Sequence, residues 1–263
     1  MVENLDLKHR QVLKRKCDLI SKLGEILASS GAETRLILSS MDLLAKALNL
    51  SVQSAVNRAG VFVSFDTPEG QVLSFRRIKT FGINMTIVTY CHQLCLKAER
   101  GEFKSLDEIS EALNHLPHKH YPKIFLVPIE AIAAGCFAYL NQANLEVIAL
   151  AILGALILMS IRFYLSQKGL FETFIFMVSA FVGSFCALLF AKAQGVGLEG
   201  QTLATLATSL VLVPGFPLIN GFLDLFKGYI DTGITRLMQA LVLVSSAAIG
   251  ILGALLIADY YGV

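Results

Sequence analysis

The segment Leu212-Val213-Pro214-Gly215-Phe216-Pro217-Leu218-Ile219-Asn220-Gly221-Phe222-Leu223-Asp224-Leu225-Phe226-Lys227-Gly228-Tyr229-Ile230-Asp231-Thr232-Gly233 is apolar enough for a bilayer yet carries residues that interrupt a membrane helix. Pro214 and Pro217 remove two backbone donors and Gly215 relaxes the chain between them, which predicts a kinked or unwound span. Free carbonyls at membrane depth are tolerated only inside protein or beside a water-filled cavity. Broken helices of this kind mark substrate sites in many transporters. Downstream, Asn220, Asp224, Lys227 and Asp231 are spaced 4, 3 and 4 apart, so on a helix they form one polar stripe. An ionisable group near a span costs about 2.5 to 3.5 kcal/mol on insertion scales and points to function. Pro214, Gly215, Pro217, Asn220, Asp224 and Lys227 are therefore candidate substrate or ion pathway residues, with Asp224 the candidate proton or ion carrier. The competing reading is that the prolines only end the span and the stripe faces cytoplasmic water.

The composition around this segment divides sharply. The 263 residues are 55% hydrophobic and 16% charged, with mean hydropathy +0.64 and net charge +2. An average soluble domain carries about 25% charged residues, so a wholly soluble chain is excluded, as are a disordered chain and a nucleic-acid binder. Residues 1–123 hold 17 of the 22 Lys/Arg and 13 of the 20 Asp/Glu; residues 124–263 hold only 12 charges in all. The first part reads as water-soluble and the second as membrane-embedded. Apolar stretches of roughly 20 residues predict five spans, at about 124–140, 145–165, 172–191, 201–220 and 233–258. An odd number puts the two chain ends on opposite sides. Lys119, Lys123, Arg162, Lys168, Lys227 and Arg236 flank one side and Lys192 alone the other, which places the N-terminus in the cytoplasm and the C-terminus outside. The charged first 25 residues lack the apolar core of a signal peptide. Cys17, Cys91, Cys95, Cys136 and Cys186 then lie in a reducing compartment or in the bilayer, where disulfides are not expected.

Within residues 1–123, helical apolar spacing over His9–Ser29 stops at Ser29-Ser30-Gly31, and a second helix follows from Glu33 to about Leu48. Val52–Val56, Val61–Phe65 and Gln71–Ile78 read as strands, the last two joined by Asp66-Thr67-Pro68-Glu69-Gly70. Asn84–Glu99 is helical, and Ser105-Leu106-Asp107-Glu108 is a capping box opening another helix to about Leu116. Pro117–Pro122 is the linker at the membrane surface. The predicted fold class is an α+β cytoplasmic domain, 1–123, followed by an all-α membrane domain, 124–263, of five transmembrane helices.

Other constellations are weaker. Cys91 and Cys95 face the same way on a helix, but a closed zinc site needs four ligands and no second close pair exists in the chain. Core cysteines are the simpler reading. His115, His118 and His120 cluster at the linker and read either as a pH or metal sensor or as solvated histidines. Ser64, Asp66 and His92 lack a nucleophile elbow. No metal, cofactor or catalytic residue is expected. Arg162 either snorkels from the end of its span or balances a carboxylate substrate, and Glu130, near Pro128, either faces the pathway or reaches water.

The order Gly31-Ala32-Glu33-Thr34, Gly82-Ile83-Asn84-Met85, then Val213-Pro214-Gly215-Phe216-Pro217-Leu218-Ile219-Asn220 with Asp224, Lys227-Gly228 and Thr232-Gly233 resembles the threonine/serine exporter family along essentially the whole chain. The likeness is greatest to its two-subunit branch, whose larger, YjjP-type subunit is associated with succinate export. The resemblance implies proton-coupled secondary export of a small polar metabolite across a bacterial inner membrane. It also implies a second small integral membrane subunit, because single-chain members carry about twice as many spans. Glu130 is not part of the family pattern. A dicarboxylate would call on Arg162, Lys227 and Arg236; threonine or serine would use backbone carbonyls and helix N-termini. The alternative reading is a membrane-anchored metabolite-sensing or regulatory subunit, and an enzyme using Cys91, His92 or the linker histidines is a third.

Overall fold

The computed structural model describes residues 2–67, 70–79, 81–117 and 122–262. The chain divides into two compact units, residues 1–119 with 219–236, and residues 120–218 with 237–263.

In the first unit, α1 (Val2–Ser29) and α2 (Thr34–Ala47) lead into β1 (Gln53–Val56), β2 (Gly60–Thr67) and β3 (Gly70–Arg77), followed by α3 (Met85–Glu99) and α4 (Leu106–Asn114). The strands form an antiparallel sheet in the order β1-β2-β3, with Val56 opposite Val61 and Phe62 opposite Phe75. Strand alternation sends Val61, Val63, Val72 and Ser74 inward and leaves Leu73 and Phe75 exposed. The inward face packs on α1, whose Cys17, Ile20, Leu23 and Leu27 join Ile37, Met41 and Leu44 of α2 and Leu94 of α3 in one core. Gly24 lets α1 come this close, since a Cβ there would lie 2.7 Å from Met41 Sδ and 2.8 Å from Val61 Cγ1. Ser74, the polar residue on that face, donates to Asp18 at 2.7 Å and shares a hydrogen bond with Ser21 at 2.9 Å, which removes the penalty of burying it. Ser105 accepts from the Glu108 amide, as its capping motif predicts.

In the second unit, α5 (Lys123–Leu140), α6 (Leu145–Gln167), α7 (Glu172–Ala193) and α8 (Leu198–Leu210) pack through small residues. Ala131, Ala138, Ala151, Ala155, Ala187 and Ala207 are fully buried. Added Cβ atoms at Gly154 and Gly183 would meet Thr208 at 2.5 Å and Leu158 at 2.6 Å. This is how membrane helices associate when lipid removes the hydrophobic drive between them. α9 (Gly215–Phe226) and α10 (Ile230–Tyr260) each contribute to both units.

The expected succession of an α+β cytoplasmic domain and a five-span membrane domain is corrected on two counts. Among the described residues three helices are long and apolar enough to cross a membrane: Leu145–Gln167, Glu172–Ala193 and Ile230–Tyr260. Ile124–Leu140 is a shorter apolar helix, and at 1.5 Å per residue it falls short of a hydrocarbon core of about 30 Å. The stretch expected as span 201–220 is instead two helices, α8 and α9, bent by 64°, which makes at most four spans if the pair counts as one. The break follows from the prolines: Pro214 precedes α9 and Pro217 lies in its first turn, where a missing N–H costs nothing, so they start a new helix rather than bend an old one. The count of five on which the opposite placement of the ends rests is thus replaced by three, or by four if the bent pair is one span. Secondly, the helical material is not confined to one following domain, because residues 219–236 fold with residues 1–119.

Candidate functional site

The turn between α1 and α2 is the centre of a buried polar cluster in the first unit. α1 ends in a Schellman turn: Gly31 takes φ +87°, its N–H donates to Ala28, and the Ala32 N–H donates to Leu27 at 3.0 Å. The following carbonyls still need donors. Ser29 and Ser30 accept from the amides of Gly82 and Asn84, at 2.8 and 3.0 Å, and Asn84 then caps α3 by accepting from Ile87. Gly31 accepts from Asn220 Nδ2 at 3.0 Å, and Ala32 from Arg236 Nη2 at 2.8 Å.

α2 begins here, and Glu33, its N-cap residue, supplies no side-chain cap. Asp224 performs that task from α9. Its Oδ1 accepts from the Thr34 amide at 3.0 Å and its Oδ2 from the Thr34 hydroxyl at 2.9 Å. Thr232 Oγ1 lies 3.0 Å from Thr34 Oγ1, and Arg236 Nε lies 3.4 Å from Asp224 Oδ2. Asp224 is 0% exposed. A buried carboxylate in this setting is held by an opposite charge, two donors and the positive end of a helix. Lys227 pairs with Glu33 at the rim. The α9–α10 corner that presents these groups turns at Gly228, φ +85°, where the Tyr229 amide donates to the Asp224 carbonyl at 2.8 Å. Gly233 permits the close return, since a Cβ there would lie 2.8 Å from Leu225.

Of the residues singled out in the sequence, Asn220, Asp224 and Lys227 thus gather on the Gly31–Thr34 turn, while Asp231 stays exposed. Pro214, Gly215 and Pro217 stand at the start of α9. Arg162 lies in the second unit, its guanidinium 4.8 Å from the Phe176 ring centroid and 4.0 Å from Met159 Sδ. Thr34, Thr232 and the carbonyls of Gly31 and Ala32 were not marked as functional by spacing or charge. The signals were the Gly31-Ala32-Glu33-Thr34 tetrapeptide, which local patterning reads only as a helix stop and start, and the Thr232-Gly233 pair.

Cys91 and Cys95 are completely buried in the core, and burial pushes both thiols up to about 12, far from the thiolate a metal would require. No group of three or more His, Cys, Asp or Glu able to hold a metal occurs among the described residues. His92 Nδ1 pairs with Ser40 at 3.3 Å, Asp66 accepts from Gln71, and His115 Nδ1 lies 3.0 Å from the Glu111 carbonyl. The expected Pro68-Glu69 turn, and His118 and His120, lie outside the described residues.

Residues 18–258 match the family model described as "Putative threonine/serine exporter". A protein of Klebsiella aerogenes, "Probable succinate transporter subunit YjjP", is 30% identical over 233 residues, covering 87% of this chain and 88% of its own. A protein of Escherichia coli strain K12 with the same description is 29% identical over 243 residues, 91% of this chain and 93% of its own. No solved structure matches the chain.

Proposed function

The chain belongs to the threonine/serine exporter family, and from that premise we propose that it is the larger subunit of a two-part secondary exporter of a small polar metabolite. It lies in a bacterial inner membrane, with the Lys/Arg-rich N-terminal part in the cytoplasm, and works with a second small integral membrane subunit. The relatives described as succinate transporter subunits favour a dicarboxylate over threonine or serine. Transport is proton-coupled. The observation that carries this reading is the broken helix pair, bent by 64°, leading directly into Asn220, Asp224 and Lys227. Such a break brings backbone polar groups and charges to membrane depth without lipid contact.

Pro214, Gly215 and Pro217, at the start of α9, are pathway residues in this reading, as are Asn220, Asp224 and Lys227, which hold the Gly31–Thr34 turn. Arg162 supplies a cation for a carboxylate. In proteoliposomes holding this chain and the second subunit, preloaded succinate is released, and omission of either protein abolishes release. Asn220→Ala and Asp224→Asn slow release about tenfold or more, equivalent to about 1.4 kcal/mol. Release unchanged in both variants, but lost on substitutions among residues 1–117 away from the turn, would instead identify a sensing subunit.

A further inference from the structure

A second cluster of charged residues lies within the second unit. Glu130 Oε2, on α5, is buried with no hydrogen-bond partner. Arg162, on α6, is close enough to interact electrostatically with Glu130 and with Glu172 in the first turn of α7. Neither carboxylate is within ion-pair distance of the guanidinium, and no ion pair among the described residues includes Arg162. The guanidinium instead rests on Phe176 and Met159, in the apolar cluster that also contains Val127, Phe163 and Leu212. α8 meets α5 through Val211 and Ala207, and its sole titratable residue is Glu199, in its first turn.

Asp224 and Glu130 are therefore opposite cases. The oxygens of Asp224 accept from the Thr34 amide and hydroxyl and face Arg236. Glu130 is half-buried with one buried oxygen, Oε2, that has no donor among the described residues, and a buried carboxyl oxygen without a donor carries a cost when ionised. Arg162 is a planar fork backed by an aromatic ring, with no carboxylate of the described residues within ion-pair distance, which suits a carboxylate that arrives and leaves.

We propose that Arg162 is the carboxylate-binding point for the substrate and that Glu130 is the proton-carrying group coupled to it. This rests on the exporter reading above and adds its coupling mechanism. When Glu130 is ionised its carboxylate turns to Arg162 and occupies the guanidinium. A proton taken up on a Glu130 carboxyl oxygen releases that pair, and a substrate carboxylate replaces it. One proton then accompanies each substrate in the same direction and leaves when Glu130 reclaims Arg162.

The test uses proteoliposomes containing this chain and the second subunit, loaded with labelled succinate and a luminal pH dye. Succinate efflux through the wild type is accompanied by alkalinisation of the lumen. Glu130→Gln uncouples the two, so the alkalinisation per succinate released falls about tenfold or more. Glu130→Asp, which keeps a titratable group, restores part of it. Arg162→Ala and Arg162→Lys raise the half-saturating succinate concentration about tenfold or more. Undiminished alkalinisation per succinate in Glu130→Gln overturns the proton assignment. So does complete loss of succinate exchange in that variant while it remains monodisperse. Unchanged half-saturation in both Arg162 variants overturns the binding assignment. If the wild type moves no succinate by efflux or exchange, the exporter reading fails, and this proposal with it.

Discussion

Asp224 caps a helix that begins 190 residues earlier in the chain, and its surroundings set what substitutions do. Arg236→Ala strips the guanidinium from a fully buried carboxylate, and breaking a buried pair from one side costs about 3 to 5 kcal/mol. Asp224→Asn also removes the charge attraction to Arg236 but still accepts from Thr34, so it is the milder change. Thr34→Ala, which loses the hydroxyl contacts to Asp224 and Thr232 but keeps the amide bond to Asp224, costs about 1 to 2 kcal/mol. Denaturant midpoints in detergent micelles should therefore fall in the order Thr34→Ala, Asp224→Asn, Arg236→Ala, with Thr34→Ser near wild type. Cys91 and Cys95 give a pH signature. Their folded-state values, about 12, lie above the ordinary 9.0 of an unfolded thiol, so the folded state holds these protons more tightly. That contribution is complete below the unfolded value and drains away as pH rises from 9 towards 12. A Cys91→Ala, Cys95→Ala variant should lose less stability than wild type between those limits, measured as the difference in denaturation midpoint. Both thiols should also resist alkylation in the folded protein.

The elements differ in how plainly they are written. Apolar periodicity located α1, expected over His9–Ser29 and found over Val2–Ser29, and α3, expected from Asn84 and found from Met85 with Asn84 as its cap. Stretches of continuous apolarity gave α6 and α7 to within two residues at their ends. The same criterion failed at Ile124–Leu140 and at α8–α9, because counting apolar residues weighs composition rather than length or the point at which a proline starts a new helix. α10 shows how little sequence is needed to fix a contact. Gly250 lets it approach α7 so closely that a Cβ would lie 2.2 Å from the Met177 carbonyl oxygen. Backbone cannot yield as a side-chain tip does, so Gly250→Ala should cost about 3 kcal/mol, the upper part of the overpacking range. The thermal midpoint in detergent should drop accordingly, whereas Gly253→Ala, whose nearest neighbour is Phe181 at 3.4 Å, should change it little.

At the scale of the whole molecule, the chain leaves its first unit after residue 119, returns for residues 219–236 and leaves again. No window of sequence reveals this, since the donors for Gly31 and Ala32 and the cap for α2 lie on another segment. Residues 1–117 expressed alone therefore lack Asn220, Asp224 and Arg236. Amide hydrogen exchange should find the first turn of α2, from Thr34 to Ile37, fast in that fragment and slow in the whole chain, while amides at the centre of α1 differ far less. The cap across 190 residues also puts the unit on a clock. A ribosome adding about 5 to 20 residues per second needs roughly 10 to 40 s after making Thr34 to make Asp224. Throughout that interval the nascent N-terminal part waits with an open helix end, within reach of chaperones and proteases, until the α9–α10 corner emerges to close it.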